Sequence, residues 1–282
     1  MSLPIVFIHR GDDDYLAYAL AQARSSNPHS PIFLLGKPIN QPFAQNGVIH
    51  VMMDDYMEPA ANFAKVYKHI HYMPYEYNLF CFQRWFVLRD FMRKHNLPKC
   101  CYLDSDVMLY TDVNQPHFES FSMEFVWTNF IELQRLERFC AYVTAHFEDL
   151  GLFGQVVSFA HKSKDHVRFG MPLITDMVLS VMYLRQFRGY RWTHGLYHDG
   201  FFDGNIQQPF MTESHDGNKK VYLKDGALYC KDRQSSRDLK LYTLHFQGDI
   251  MKNYMKFFYS PSFAQSGVFY FDYQRAKWVP VN

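Results

Sequence analysis

Cys101-Tyr102-Leu103-Asp104-Ser105-Asp106-Val107-Met108-Leu109-Tyr110 is the stretch whose reading decides the fold. An apolar run from Cys100 to Leu103 stops at a carboxylate, a second carboxylate follows two positions on, and apolar residues resume. Pro98 bounds the run upstream, so it reads as a short buried strand. If extended backbone continues through Asp106, side chains two apart point the same way. Asp104 and Asp106 are then expected on one face at the carboxyl end of a strand, the edge where open α/β sheets bind ligands. Two close carboxylates repel unless a cation lies between them, and a hard divalent ion bridging a diphosphate meets that need. The plainer alternative is a helix-capping Asp beside a solvated turn Asp, and a lone Asp-x-Asp does not choose between the two.

Outward from that stretch, the order of elements points to an α/β protein. Pro4 to His9 is an apolar run of strand length, followed by Arg10-Gly11-Asp12-Asp13-Asp14. Leu16, Leu20 and Ala23 then recur at helical spacing as far as Ser26-Asn27-Pro28. Ile32 to Leu35 and Val48 to Met53 are further strand-like runs. Strand, helix, strand, loop, strand is the opening of a doubly wound, mostly parallel sheet. Helices are expected over Phe63 to Tyr72, Leu79 to His95, Glu132 to Leu150 and Thr175 to Phe187, and a strand over Phe121 to Trp127. Val221 to Leu223, Ala227 to Tyr229 and Leu239 to Phe246 read as short strands, the first two joined by the hairpin signal Lys224-Asp225-Gly226. The segment from Lys252 reads as basic and aromatic, then irregular.

The 282 residues, with no low-complexity linker or internal repeat, predict one domain: about 1–110 as a nucleotide-binding half, 111–256 as the half that completes it, and 257–282 as a tail. A net charge of +1 gives no field to hold nucleic acid. No apolar run reaches the ~18–20 residues of a membrane helix. Met1-Ser2-Leu3-Pro4 lacks the basic-then-apolar pattern of a secretory leader, and the 5 cysteines fit no zinc spacing. A cytoplasmic protein with reduced thiols is therefore expected.

Three charged positions stand out beside the two aspartates. Arg84 is the only charge between Leu79 and Leu88, on a helix that Phe82, Trp85, Phe86 and Val87 make apolar on most sides. A buried cation needs an anionic partner. Leu244-His245-Phe246-Gln247-Gly248-Asp249-Ile250-Met251-Lys252 delivers a His from a strand, a Gly that admits close backbone approach, and a Lys. A neutral imidazole completes a metal site begun by carboxylates, and a Lys neutralises a phosphate. Asp176 opens a helix, where the helix dipole alone explains a carboxylate worth ~0.3–1 kcal/mol.

Taken together these features resemble the GT-A class of nucleotide-sugar glycosyltransferases, in particular the group of glycogenin and the bacterial lipooligosaccharide galactosyltransferases. The resemblance spans residues 4–256 and is densest at 82–110 and 244–252. It implies that Asp104, Asp106 and His245 hold Mn²⁺ (or Mg²⁺) against the diphosphate of a UDP-sugar donor, and that Ser105, Arg84, Gly248 and Lys252 lie along that donor. It implies that the loop His9-Arg10-Gly11-Asp12 receives uracil and ribose. Lys252 stands one residue later than is usual in that group, and Asn253-Tyr254 follow where Pro-Trp is usual. Asp176, and next Asp203 in Phe202-Asp203-Gly204-Asn205, are the catalytic candidates for activating a carbohydrate or other hydroxyl acceptor. Two other readings compete. A haloacid-dehalogenase-type phosphatase also carries Asp-x-Asp-x-Val after an apolar strand, although about a hundred residues precede the motif here. A non-catalytic nucleotide-sugar-binding module would keep the same ligands.

Overall fold

The computed structural model describes residues 2–163, 166–168, 170–187, 195–263 and 266–281. The chain opens as its apolar runs predict, with β1 (Ile5–Ile8), α1 (Tyr15–Ser26), β2 (Ile32–Gly36) and β3 (Val48–Met52). All of β1 is buried, because both faces of its sheet are covered, and that is why it reads as a continuous apolar run.

α2 (Glu58–Ala64) and α3 (Tyr75–Lys94) follow. The helix expected over Phe63 to Tyr72 does not form. Pro59 in the first turn starts a helix earlier, and the chain leaves helical form after Ala64, with the Tyr67 ring buried. α3 begins behind Pro74, before Leu79, and carries Glu76 in its first turn and Arg93 and Lys94 in its last. It ends where Asn96 turns left-handed (φ 51°) and the Leu97 N–H reaches back to the Met92 carbonyl at 2.8 Å. Its core face buries Phe82, Trp85, Phe86 and Phe91, each worth about 1.5–3 kcal/mol of transfer free energy, enough to hold a charged residue in the same helix against the core.

β4 (Lys99–Leu103) is next, and here the unbroken strand expected through Asp106 is corrected. Extended backbone stops at Leu103. The Val107 N–H donates to the Asp104 carbonyl at 3.0 Å, so Asp104 to Val107 form a turn. β5 (Val107–Leu109) then leaves the first sheet and joins a second.

The strand expected over Phe121 to Trp127 is also corrected. Phe125 is left-handed (φ 59°), and the Asn129 side chain bonds both the N–H and the carbonyl of Val126, diverting that backbone from a ladder. The strand is β6 (Thr128–Glu132), followed by α4 (Leu133–Glu148) and α5 (Leu150–Lys162). A small hairpin, β7 (Val167–Arg168) and β8 (Met171–Pro172), precedes α6 (Asp176–Gln186). α6 is capped by the Thr175 hydroxyl, which accepts from the Val178 N–H.

The remainder is mostly strand: β9 (Gly195–Tyr197), β10 (Gly200–Phe202), β11 (Ser214–His215), β12 (Asn218–Lys219), β13 (Tyr222–Lys224), β14 (Ala227–Lys231) and β15 (Asp238–His245), then the short helix α7 (Asp249–Lys252), β16 (Val268–Asp272) and β17 (Lys277–Pro280). The hairpin read at Lys224-Asp225-Gly226 joins β13 to β14, with Asp225 and Gly226 both at positive φ (50° and 76°). The segment read as irregular after Lys252 forms the edge of the second sheet, where β16 pairs with β13.

The first sheet runs β3-β2-β1-β4-β6, parallel except for β6. This is the mostly parallel, helix-flanked α/β sheet that the run order implies. Alternation along β1 sorts the core: Ile5 and Phe7 pack toward α1 and the second sheet, Val6 and Ile8 toward α3, α4 and α6. The second sheet runs β17-β16-β13-β14-β15-β10-β9, with β5 also paired to β15. Among the described residues no helix is long and apolar enough to cross a membrane.

Candidate active site

The two sheets meet at the Asp104–Asp106 turn. In the first, Phe7 pairs with Leu103, so β1 and β4 end side by side. The His9 ring nitrogen Nδ1 lies 3.0 Å from the Ser105 hydroxyl, tying the β1 loop to the turn. In the second, His245 pairs with Val107, and the Phe246 N–H donates to the Asp106 carbonyl at 2.9 Å. That register sets His245 directly beside Asp106, with Nε2 3.4 Å from the Asp106 carboxylate.

Asp104, Asp106 and His245 present three ligand atoms within 4.8 Å of one another. The His245 Nδ1 is 2.8 Å from the Gly204 carbonyl, which accepts its proton, so that in the neutral ring Nε2 is the lone-pair nitrogen facing the carboxylates. The Trp127 ring stacks on His245 (5.5 Å, 20°). Gly204 has no room for a side chain, since a Cβ there would lie 2.7 Å from that Trp127 ring. Two carboxylates and one imidazole suit a hard to borderline divalent cation such as Mn²⁺ or Mg²⁺. Electrostatics agree. Burial pushes the Asp104 carboxyl up against the pull of Arg84. Burial works the same way at Asp106, but His245 and Lys252 hold it below the usual carboxylate value. Burial opposes a charge on His245, yet Asp106 and Asp104 raise it to about 9. A site that stabilises an imidazolium in this way has the negative potential a cation needs.

Arg84 finds its anionic partners inside the protein. It donates from Nη1 to Asp104 at 2.5 Å and from Nη2 to Asp176 at 2.9 Å. The Asp176 carboxylate also accepts from the Trp85 indole at 3.0 Å and from the Met177 N–H at 3.1 Å, and the residue is 4% exposed. It is therefore enclosed behind Arg84, with both carboxylate oxygens bonded inside the protein. Asp203 is corrected in the same way. It is 0% exposed, ion-paired to the buried Lys219 at 3.3 Å, and accepts from the His245 N–H at 3.0 Å. Both catalytic candidates are buried and bonded to neighbouring protein groups, although the Asp203 Oδ1 has no hydrogen bond among the described residues and only the Lys219 ammonium beside it.

Lys252 lies at the rim, 3.9 Å from Asp106 and 3.8 Å from Asp249, with its ammonium 4.9 Å above the Tyr15 ring. Gly248 enters this turn at φ +88°, a conformation that favours glycine. In the β1 loop, Arg10 stacks on Phe80 at 4.2 Å and donates to the Glu76 carbonyl, Gly11 accepts from Asn40, and Asp12 is exposed. Sequence reasoning missed Trp127, Tyr15 and Lys219. Lys219 sits in Asn218-Lys219-Lys220, which looks like any solvated turn, and no local signal marks it as buried.

No family model matches this chain, and no curated protein matches it. Solved structures do. The mouse xyloside xylosyltransferase 1, in its apo form, is similar at 10% identity over 69% of this chain and 85% of its own, with a TM-score of 0.45. The PaToxG glycosyltransferase is similar at 10% identity over 67% and 71% of the two chains, with a TM-score of 0.40. The galactosyltransferase LgtC, in complex with donor and acceptor sugar analogs, is similar at 15% identity over 88% of each chain, with a TM-score of 0.36.

Proposed function

We propose that this chain is a metal-dependent glycosyltransferase. It moves a sugar from a nucleoside-diphosphate donor, UDP being the first to test, to a hydroxyl of a carbohydrate or other acceptor. The observation that carries the reading is the convergence of Asp104, Asp106 and His245, from two different sheets, at the carboxyl end of a parallel sheet. When bound there, a divalent ion would offset the carboxylates and stabilise the charge that grows on a departing diphosphate.

The chain's own groups prepare that chemistry. Arg84 fixes the Asp104 carboxylate from behind, and Asp176 fixes Arg84. The Gly204 carbonyl and Asp203 together fix the tautomer and the backbone of His245. Lys252, beside Asp106, brings a second positive charge to the side where phosphates would lie. The loop His9 to Asp12 borders the same turn and is the place for base and ribose.

The test is incubation with UDP-glucose and UDP-galactose in Mn²⁺, with UDP and sugar both measured. UDP with free or transferred sugar is expected, and excess chelator should abolish both UDP binding and turnover. Full UDP affinity in chelator, or release of inorganic phosphate alone, overturns the reading.

A further inference from the structure

A second group of ligating side chains lies at the opposite end of the strands that carry His245 and Asp203. His117, His198 and Asp199 present ligand atoms within 4.8 Å of one another. His198 and Asp199 form the tight turn between β9 and β10, and β10 runs from Gly200 toward Asp203 beneath the proposed active site. His117 comes from the 116–118 turn. The two imidazoles are stacked, ring centroids 4.3 Å apart and planes within 5°, so one ring has to turn for both to direct a lone pair at a shared ion.

Three features distinguish this group from scattered surface histidines. First, the His117 Nε2 is enclosed and has no hydrogen-bond partner among the described residues, so a nitrogen donor is left open. Second, Asp199 is held in place: its Oδ1 takes hydrogen bonds from the Tyr242 hydroxyl and from His198 Nδ1, the latter at 2.8 Å, which leaves Oδ2 and His198 Nε2 outside those two bonds. Tyr242 reaches Asp199 only because residue 200 is glycine, since a Cβ there would lie 2.3 Å from the Tyr242 ring. Third, among the described residues no Lys or Arg pairs with Asp199, and His198 is the ion-pair partner it has there. Ligating carboxylates are commonly oriented by such a fixed donor.

We propose that His117, His198 and Asp199 form a second metal site, which takes a borderline transition ion such as Zn²⁺ and clasps the 116–118 turn to the β9–β10 turn. Two imidazoles and one carboxylate suit Zn²⁺ better than Mn²⁺ or Mg²⁺, and are a softer donor set than the oxygen-rich Asp104–Asp106–His245 group. The inference does not depend on glycosyl transfer, because it uses none of the proposed active-site residues.

The experiment is equilibrium dialysis of the full chain against Zn²⁺ in the Asp106→Ala background, which disables the other site. The quantity read is the zinc bound by that protein minus the zinc bound after adding His198→Asn, Asp199→Asn or His117→Ala. His198→Asn is the deciding variant: His198 is exposed and left-handed (φ 55°), and Asn tolerates that backbone, so the fold is kept. One equivalent of zinc is expected to be lost, or weakened at least tenfold (~1.4 kcal/mol), in each variant. Mn²⁺ should bind this site at least about tenfold more weakly than Zn²⁺. Zinc binding that is unchanged by His198→Asn, or absent up to about 100 micromolar, overturns the proposal.

Discussion

Asp176 Oδ2 accepts a hydrogen bond from Arg84 Nη2 at 2.9 Å, across 92 positions of sequence. This contact makes the helix-opening carboxylate the rear support of the site, because Arg84 uses its other terminal nitrogen on Asp104.

Asp176→Asn should therefore act first on stability. The substitution keeps an acceptor for Trp85 but removes the charge facing a buried guanidinium. A loss of about 1–3 kcal/mol is expected in urea unfolding, with weaker donor binding. Unchanged stability with lost turnover would instead restore a direct role at the acceptor.

Asp203→Asn should cost more, about 3–5 kcal/mol, since it leaves the buried Lys219 ammonium without its counter-charge. Adding Lys219→Met should recover much of that loss, because a buried ion pair replaced by uncharged groups is often neutral. Chemical unfolding of the single and double variants measures both effects. No recovery in the double variant would show that the pair is more than a matched charge.

Removal of metal ligands should separate the carboxylates from the imidazole. Asp106→Ala is expected to mimic chelation and abolish Mn²⁺-dependent UDP binding in calorimetry. His245→Ala should leave partial activity, because water replaces one neutral ligand more readily than it replaces a charge. Equal losses in the two variants would contradict this division.

The pH dependence should differ with and without metal. In the metal-free protein the His245 value is raised to about 9, above the unfolded value near 6.5. Its stabilisation is fully present below about 6.5 and is lost as pH rises through about 9. Metal requires the neutral ring, so Mn²⁺ affinity should rise over the same interval. Melting temperatures measured from about pH 6 to 9 should fall without Mn²⁺ and show a growing Mn²⁺-induced shift. Parallel curves with and without Mn²⁺ would remove His245 from the ligand set.

The cysteines make a chemical test. Among the described residues Cys81, Cys100, Cys101, Cys140 and Cys230 are all free thiols, and all but Cys81 are buried. Burial pushes Cys81, Cys140 and Cys230 up to about 12. Native protein should label slowly with a thiol reagent, at Cys81 first. The unfolded, unreduced protein should then label at every cysteine.

Much of the fold was legible in local sequence. Apolar runs bounded by Pro and Gly mark β1 to β4, the mostly apolar stretch around Arg84 marks a buried helix, and Asp225-Gly226 marks a hairpin. Each depends on spacing or turn chemistry within a few residues, which acts before any tertiary contact forms. The failures at 63–72 and 121–127 have local but quieter causes: a proline that starts a helix early, and an Asn side chain that occupies a strand's backbone groups.

The sequence by itself placed Asp104 and Asp106 close together and made Arg84 a buried cation in search of an anion. It did not determine which anion, nor that His245 would stand beside Asp106. The β5–β15 register and the meeting of Arg84 and Trp85 on α3 with Asp176 at the start of α6 decide those partnerships. The reason is physical: a buried charge is stabilised by whichever groups are desolvated with it. Which groups those are depends on contacts between segments far apart in the chain, and no local pattern records them.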